Sequence, residues 1–347
     1  MNKKIVLISS ILLLSMLAAF SSFYFRSPSE PIMVGVYYYV WYNGTKHDNV
    51  VDEPLIGWPN YWSNSSYVIK KHLKWFQELD LDFIIISWWG SDTFTDDVAR
   101  KVFETVKNES LNLKIAIMVE PFNETGTPDA YNYTEIYNYI YENYVSPYPS
   151  IYMQLNNRPL ICFFNGNLTK NLNFFDNRYE TRIVGSRGNQ QSEWIYDIPT
   201  ESPTLCVDGE INVIPRYDIS HWKNFSKPID QNLTEGIYDK QWNKVLNLAR
   251  QGKVRIVTIT SWNEYAERTQ IEPSWDKTSS LQKNNPFYLY NKTQNYIKQL
   301  RNTIPGIMPP EAFALTIIVV AIGAVLALLL LIRLIIRRKG SYKTSLV

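Results

Sequence analysis

The chain alternates short apolar runs with stretches in which apolar residues recur every three or four positions, a pattern that predicts repeated strand and helix units. Ile32 to Tyr42 reads as a first strand, followed by an amphipathic helix over Tyr67 to Leu79 that carries Val68, Leu73, Phe76 and Leu79. Phe83 to Trp89 is a second buried strand with a helix from Asp96 to Asn108 after it, and Leu113 to Glu120 is a third with a helix over Tyr133 to Tyr144. Leu160 to Phe164 and Thr181 to Ser186 follow as strands, with weaker ones at Thr204 to Asp208 and Asn212 to Arg216. Gln241 to Arg250 is helical, Val254 to Trp262 is a β-branched strand without Gly or Pro, and Tyr288 to Thr303 closes the set as a helix. Repeated βα units imply a parallel sheet, and a count near eight in one unit of roughly 280 residues predicts an α/β architecture closed into a single (β/α)8 TIM-like barrel. An open doubly wound sheet is the alternative, but no Gly-rich phosphate loop follows the first strand.

The two ends depart from this alternation. Residues 1–26 open with Lys3 and Lys4 and then run apolar or hydroxylic, as a secretory signal peptide or an uncleaved signal-anchor does; Ala19-Phe20-Ser21 offers a small-x-small cleavage site. Phe313 to Ile332 carries no charge, and the stretch 312–336 is long enough to be a transmembrane helix that would partner membrane lipid. The basic residues Arg333, Arg337, Arg338 and Lys339 would keep the tail 337–347 cytoplasmic, which places residues 27–308 outside a cell membrane. Asn-x-Ser/Thr sites at Asn43, Asn64, Asn108, Asn123, Asn132, Asn167, Asn224, Asn232 and Asn291 all fall between the two apolar runs, so a glycosylated exterior is expected. Cys162 and Cys206 lie in apolar, strand-like surroundings, where either a disulfide or two buried thiols would fit. A net charge of +2 without a basic stripe gives nucleic acid nothing to bind.

In a barrel, functional groups gather at the C-terminal ends of the strands. Those ends supply Tyr39, Trp41 and Tyr42, then Trp88 and Trp89, then Glu120, and late in the chain Trp262, Asn263, Glu264, Glu267 and Glu272. Carboxylates beside aromatics suit a sugar-cleaving site, since paired acids can share general acid and base work while ring faces stack on sugars. The 11 Trp and 24 Tyr are in keeping with that, although many must serve as packing groups. His47, His72 and His221 are too dispersed to suggest a metal motif, and His72 reads as a surface-packing residue on its helix. Tyr137, Tyr141, Tyr144 and Tyr148 lie near one helical face and read as packing.

Tyr38 to Tyr42, Ser87-Trp88-Trp89-Gly90, Val119-Glu120-Pro121-Phe122 and above all Ser261 to Pro273 (SWNEYAERTQIEP) resemble the family 99 glycoside hydrolases, the endo-α-mannosidases and endo-α-mannanases. The resemblance runs over most of residues 27–308 and implies a metal-independent, cofactor-free (β/α)8 enzyme that cuts α-mannosidic linkages inside an oligosaccharide or polysaccharide with retention of configuration. It further implies that Glu264 takes the proton from the substrate's own 2-hydroxyl to form a 1,2-anhydro sugar, and that Glu267 is the acid/base. Glu120, Trp88, Trp89, Trp41, Tyr42, Trp262 and Asn263 are then the expected substrate-binding residues. The chain departs from the family pattern at Tyr265-Ala266, where Trp-His is usual, at Arg268, where Gly is usual, and at Met118, Val119 and Phe122. Both carboxylates to which the resemblance gives catalytic roles survive these changes, which bear instead on the subsite contacts and on which sugar is bound. Alongside hydrolysis, sugar transfer in surface polysaccharide assembly and a catalytically idle glycan-binding barrel remain alternative readings.

Overall fold

The structure, a computed structural model, describes residues 31–44, 51–121, 132–164, 175–185, 193–196, 199–220, 234–276, 278 and 282–303, all within the compact unit Ser29–Thr303. The segments read as signal or anchor, transmembrane helix and basic tail lie outside the described residues. Among the described residues, no helix is long and apolar enough to cross a membrane.

Eight parallel strands follow the chain around a ring: β1 (Met33–Tyr39), β3 (Phe83–Trp88), β4 (Lys114–Val119), β6 (Arg158–Phe164), β7 (Glu180–Gly185), β8 (Trp194–Ile195), β9 (Glu210–Val213) and β10 (Ile256–Ile259). Apart from β8 and β9, neighbours around the ring pair in parallel, and β10 closes back onto β1. β8 and β9 lie against each other without a ladder between them, so the barrel is nearly closed. Two short antiparallel pairings complete the set: β5 (Gln154–Leu155) against β6, and β2 (Glu53–Pro54) against β11 (Ser274–Trp275). Outside the ring lie α1 (Ser66–Glu78), α2 (Phe94–Asn108), α3 (Tyr133–Ile140, continued by a π-turn over Tyr141–Val145), α4 (Thr234–Arg250) and α5 (Tyr288–Arg301).

The helices form where the apolar period meets a capping signal. α2 starts at Thr93, whose hydroxyl accepts the Asp96 N–H at 3.2 Å, and Asp96 and Asp97 add negative charge to the first turn. Its apolar face, Val98, Val102, Phe103 and Val106, is buried against the barrel. Tyr137 and Tyr144 are buried as packing groups, whereas Tyr141 keeps an exposed ring.

Successive strand residues point to opposite faces, and facing residues in a ladder share one. The registers Gly35↔Phe83, Gly35↔Thr258 and Thr258↔Asn212 therefore put these residues on one surface, the barrel interior. A Cβ on Gly35 would stand 2.3 Å from the Phe83 ring, so glycine is what lets that ring fill the barrel. Val34, Val36, Tyr38, Ile84, Ile86 and Trp88 take the other face, toward the helices.

Three expectations change here. Thr204 to Asp208 is not a strand; only Leu205 makes a bridge, to Ile211, and the ring is carried by Glu210–Val213. His72 is not on the surface: it is 1% exposed and paired with Glu272 at 2.9 Å. Cys162 and Cys206 are both free and buried, so the disulfide is not formed. Of the Asn-x-Ser/Thr sites that are described, Asn43, Asn108, Asn132 and Asn291 are exposed and Asn64 is half-buried.

Glu210 sits on the same inner face, fully buried, where the Thr258 hydroxyl donates to Oε1 at 2.5 Å. Burial pushes its carboxyl from the usual 4.5 to about 8, against the pull of the Thr258 and Cys206 hydrogen bonds. A carboxyl raised on folding stabilises fully below its unfolded pKa and loses that contribution as pH climbs through the folded value. Glu210→Gln is expected to be neutral at pH 5 and to stabilise by on the order of 2–4 kcal/mol at pH 8, read from urea midpoints. Parallel pH dependence in wild type and variant would place the burial cost elsewhere.

Candidate active site

The inner-face parity of β1, β3 and β4 carries side chains up to the C-terminal mouth of the barrel. From β1, Tyr39 turns inward, and its hydroxyl meets that of Tyr196, just beyond β8, at 2.7 Å. Ser87 on β3 donates from Oγ to Glu120 Oε1 at 2.7 Å, and the Trp89 indole donates to the same Oγ at 3.2 Å. Glu120, the first residue after β4, is buried at 5% exposure. Trp41 stands edge-on to Trp89 with centroids 5.4 Å apart and lies 4.6 Å from the Tyr39 ring. Both indoles are half-buried, so the wall they form still offers ring surface.

The loop after β10 delivers the two principal acids. Its fold is set by its own backbone: the Ser261 N–H donates to the Thr269 carbonyl at 3.0 Å, and the Thr269 N–H to the Glu264 carbonyl at 3.1 Å. The Glu264 N–H donates to Ser261 Oγ at 2.8 Å, and Glu264 Oε1 accepts the Ala266 N–H at 2.9 Å. Glu264 is buried, while Glu267 is half-buried and its Oε2 has no hydrogen-bond partner among the described residues.

Burial raises every carboxyl in this group. For Glu264 the upward push comes first from burial and then from the charges of Glu267 and Glu120, with the Ala266 and Glu267 N–H groups opposing it. Glu267 is raised to about 7 by burial, with the Tyr196 hydroxyl favouring the charged form. Glu120 is raised to about 8 by burial, against its Ser87 hydrogen bond, and the Glu267 charge adds to the rise. The tyrosine hydroxyls of Tyr39, Tyr196 and Tyr217 are pushed up by burial and by these acids, so they stay protonated as donors. Near neutrality the acids cannot all ionise together. One proton and one negative charge shared between Glu264 and Glu267 is the state the electrostatics favour. The Ala266 and Glu267 N–H groups favour the charge on Glu264, while the Tyr196 hydroxyl favours it on Glu267. Such a pair can remove one proton and deliver another.

The expected residues thus divide. Glu120, Trp41, Trp89, Glu264 and Glu267 come together at the mouth. Trp88 does not: it points outward, its indole donating to Asp96 on α2 at 2.8 Å and its ring lying 5.8 Å from Tyr139. Its neighbours Ser87 and Trp89 share the inner face, and the two-residue period sends Trp88 the other way. Trp262 is likewise corrected, since it is fully buried between His72, Trp75 and Phe76 of α1 and Tyr290 of α5. Asn263 is a brace beneath the site, accepting from the Tyr39 N–H at 2.8 Å and donating to the Tyr39 carbonyl at 2.7 Å. Tyr42, 3% exposed, supports it by donating to the Asn263 carbonyl at 2.7 Å. Glu272 falls behind the site with His72. Sequence reasoning missed Tyr196, Tyr217 and Ser87. Tyr196 follows a two-residue strand too short to show a period, Tyr217 follows a weak strand and a proline, and Ser87 could be placed only by register. Among the described residues, no group of three His, Cys, Asp or Glu side chains could hold a metal ion.

No protein-family model matches the chain, and no curated protein matches it. Solved structures do. The GH99 endo-α-mannosidase from Bacteroides thetaiotaomicron in complex with bis-tris-propane is 16% identical, with a TM-score of 0.59 over 78% of this chain and 98% of that one. A second structure of the GH99 endo-α-mannosidase from that organism gives 15% identity and a TM-score of 0.58 over the same shares. The chain is therefore a (β/α)8 barrel similar in fold to the GH99 endo-α-mannosidases.

Proposed function

We propose that this chain is a retaining glycosidase that cuts α-linked glycans, α-mannosides foremost, within the chain, acting outside the cell from a C-terminal membrane anchor. The observation that carries this reading is the pair Glu264 and Glu267 at the barrel mouth, one buried and oriented by backbone N–H groups, the other half-buried with an oxygen that has no hydrogen-bond partner among the described residues. Glu264, as the ionised partner, removes the proton of the sugar 2-hydroxyl, so that this oxygen attacks the anomeric carbon. The bond to the leaving oxygen breaks as Glu267 protonates it. The resulting 1,2-anhydro sugar is opened by water, from which Glu267 takes a proton while Glu264 returns one to the 2-oxygen. Two inversions at one carbon give net retention, and both carboxyls end as they began. Glu120 is placed to accept from sugar hydroxyls, and Trp41 with Trp89 to hold a ring face.

The full-length protein in detergent, tested against α-mannosides and α-glucosides of several lengths, is expected to release oligosaccharide products, with the first-formed anomer retained by NMR. Release of the opposite anomer would exclude the two-step route. Glycan binding without any release would make this a receptor on a hydrolase scaffold, and transfer to an added sugar acceptor in preference to water would make it a transferase.

A further inference from the structure

We propose that Arg268 is a positioning residue for the acid/base carboxyl of Glu267, acting through a buried cage of aspartates that locks the turn on which both residues sit; this rests on the catalytic reading of Glu267 above. Arg268 has φ +56°, a left-handed conformation that glycine takes readily and that costs a side-chain-bearing residue about 1–3 kcal/mol unless its surroundings hold it there. The surroundings here are unusually binding. The Arg268 guanidinium donates to Asp52 Oδ1 at 2.9 Å, Asp52 Oδ2 at 3.2 Å, Asp218 Oδ2 at 2.7 Å and Thr278 Oγ1 at 2.7 Å, and lies 2.8 Å from Asp276 Oδ1. Arg216 completes the cage, with Nη2 on Asp52 Oδ2 at 2.6 Å and Nη1 on Asp276. Asp52, Asp218, Asp276 and Arg268 are at most 2% exposed. Although burial pushes Asp276 up, the two guanidiniums hold its carboxyl below the usual range.

The cage reaches the acid/base through the backbone. The Asp218 N–H donates to the Glu267 carbonyl at 2.9 Å, and Arg216 Nε donates to the Arg268 carbonyl at 2.7 Å, so the peptides after Glu267 and after Arg268 are both clamped by the segment following β9. Beyond the Tyr196 hydroxyl the Glu267 carboxyl has little to hold it, because its Oε2 has no hydrogen-bond partner among the described residues. Gln270 Nε2 also donates to Asp52 Oδ2, at 2.6 Å, so segments following β1 (Asp52), β9 (Arg216 and Asp218) and β10 (Arg268 and Gln270) converge on the residue beside the acid. Buried ion clusters gain little stability over apolar packing, whereas they fix geometry through directed, bidentate bonds.

Arg268→Lys keeps the charge and loses the fork. Asp52→Asn keeps the shape and leaves two aspartates facing two arginines, so it guards against misfolding of the first variant. In the full-length protein each is expected to lower kcat by about 10- to 100-fold with KM within about threefold, since a catalytic group displaced by roughly 1 Å costs about that much. Independently of activity, the Glu267 carboxyl, followed by NMR with 13Cδ-labelled glutamate and assigned with Glu267→Gln, is expected to shift its titration midpoint by at least about 0.5 pH unit in each folded variant. Folded variants with wild-type kcat and an unmoved Glu267 midpoint would overturn the proposal, reducing the cage to a stability element. If the wild type cleaves no glycan, the catalytic reading fails, and the carboxyl titration alone decides whether Arg268 positions Glu267.

Discussion

Glu267→Gln is expected to lower kcat on natural α-linked glycans by about 10²- to 10⁴-fold while leaving KM within a small factor, because the amide keeps the shape but can neither give nor take the proton. With its carboxyl raised to about 7 by burial, Glu267 is protonated in the acid range and loses that proton as pH rises. An acid that must be protonated to work gives a rate that falls above its pKa, so wild-type kcat/KM should decline above about pH 7 and the variant should lack that limb. Aryl α-glycosides, whose leaving groups need no proton, should recover much of the first step in the variant. They should recover nothing in Glu264→Gln, where the 2-hydroxyl proton has no acceptor. Steady-state kinetics over pH on both substrate types make the distinction, and wild-type rates in Glu267→Gln on natural glycans would remove it from the acid/base role.

Glu272→Ala should cost about 2–5 kcal/mol of stability, since it leaves two buried groups, a His72 ring nitrogen and the Tyr61 hydroxyl, without their shared partner. Glu272 Oε1 lies 2.9 Å from His72 Nε2, and its Oε2 accepts the Tyr61 hydroxyl at 2.8 Å. The other ring nitrogen, His72 Nδ1, lies 3.0 Å from the Tyr38 hydroxyl. The side chains of His72 and Glu272 are 1% and 0% exposed, so water cannot replace the lost carboxylate. The cost is read from urea midpoints, and the double variant His72→Ala/Glu272→Ala should lose less than the sum of the singles, as coupled partners do. Strict additivity would show that the pair is not coupled. A catalytic effect should accompany the loss, because Tyr61 also accepts from the Asn263 amide at 3.2 Å, and Asn263 in turn holds Tyr39.

Much of the fold could be read along the chain because its signals are local. Val34 to Tyr39, Phe83 to Trp88 and Ile256 to Ile259 are apolar runs whose burial on both faces leaves few other structures open to them, and the helices between carry their period in plain sight. The strand β8, two residues long, and the β2–β11 ribbon have no period to detect, and they exist only because neighbours pair with them. α4 begins at Thr234, earlier than the apolar signal at Gln241, since Gly236 and the polar residues around Ile237 and Tyr238 obscure the period of its first turns.

The sequence by itself determined which acids are available: Glu264 and Glu267 sit three apart in one loop, and Glu120 directly follows a strand, so each is carried to the C-terminal end of a barrel strand. It also determined the alternating faces, but not which face looks inward. That choice belongs to register, and it sends Trp89 into the site and Trp88 into the helix layer. The tertiary structure alone decided that His72 meets Glu272, that Asn263 braces Tyr39, and that Asp52, Asp218 and Asp276 surround Arg268. Apart from Arg268 and Asp276, these partners lie tens to hundreds of residues apart, where no local pattern links them. Their pairing is enforced by the cost of leaving any of these polar groups buried alone.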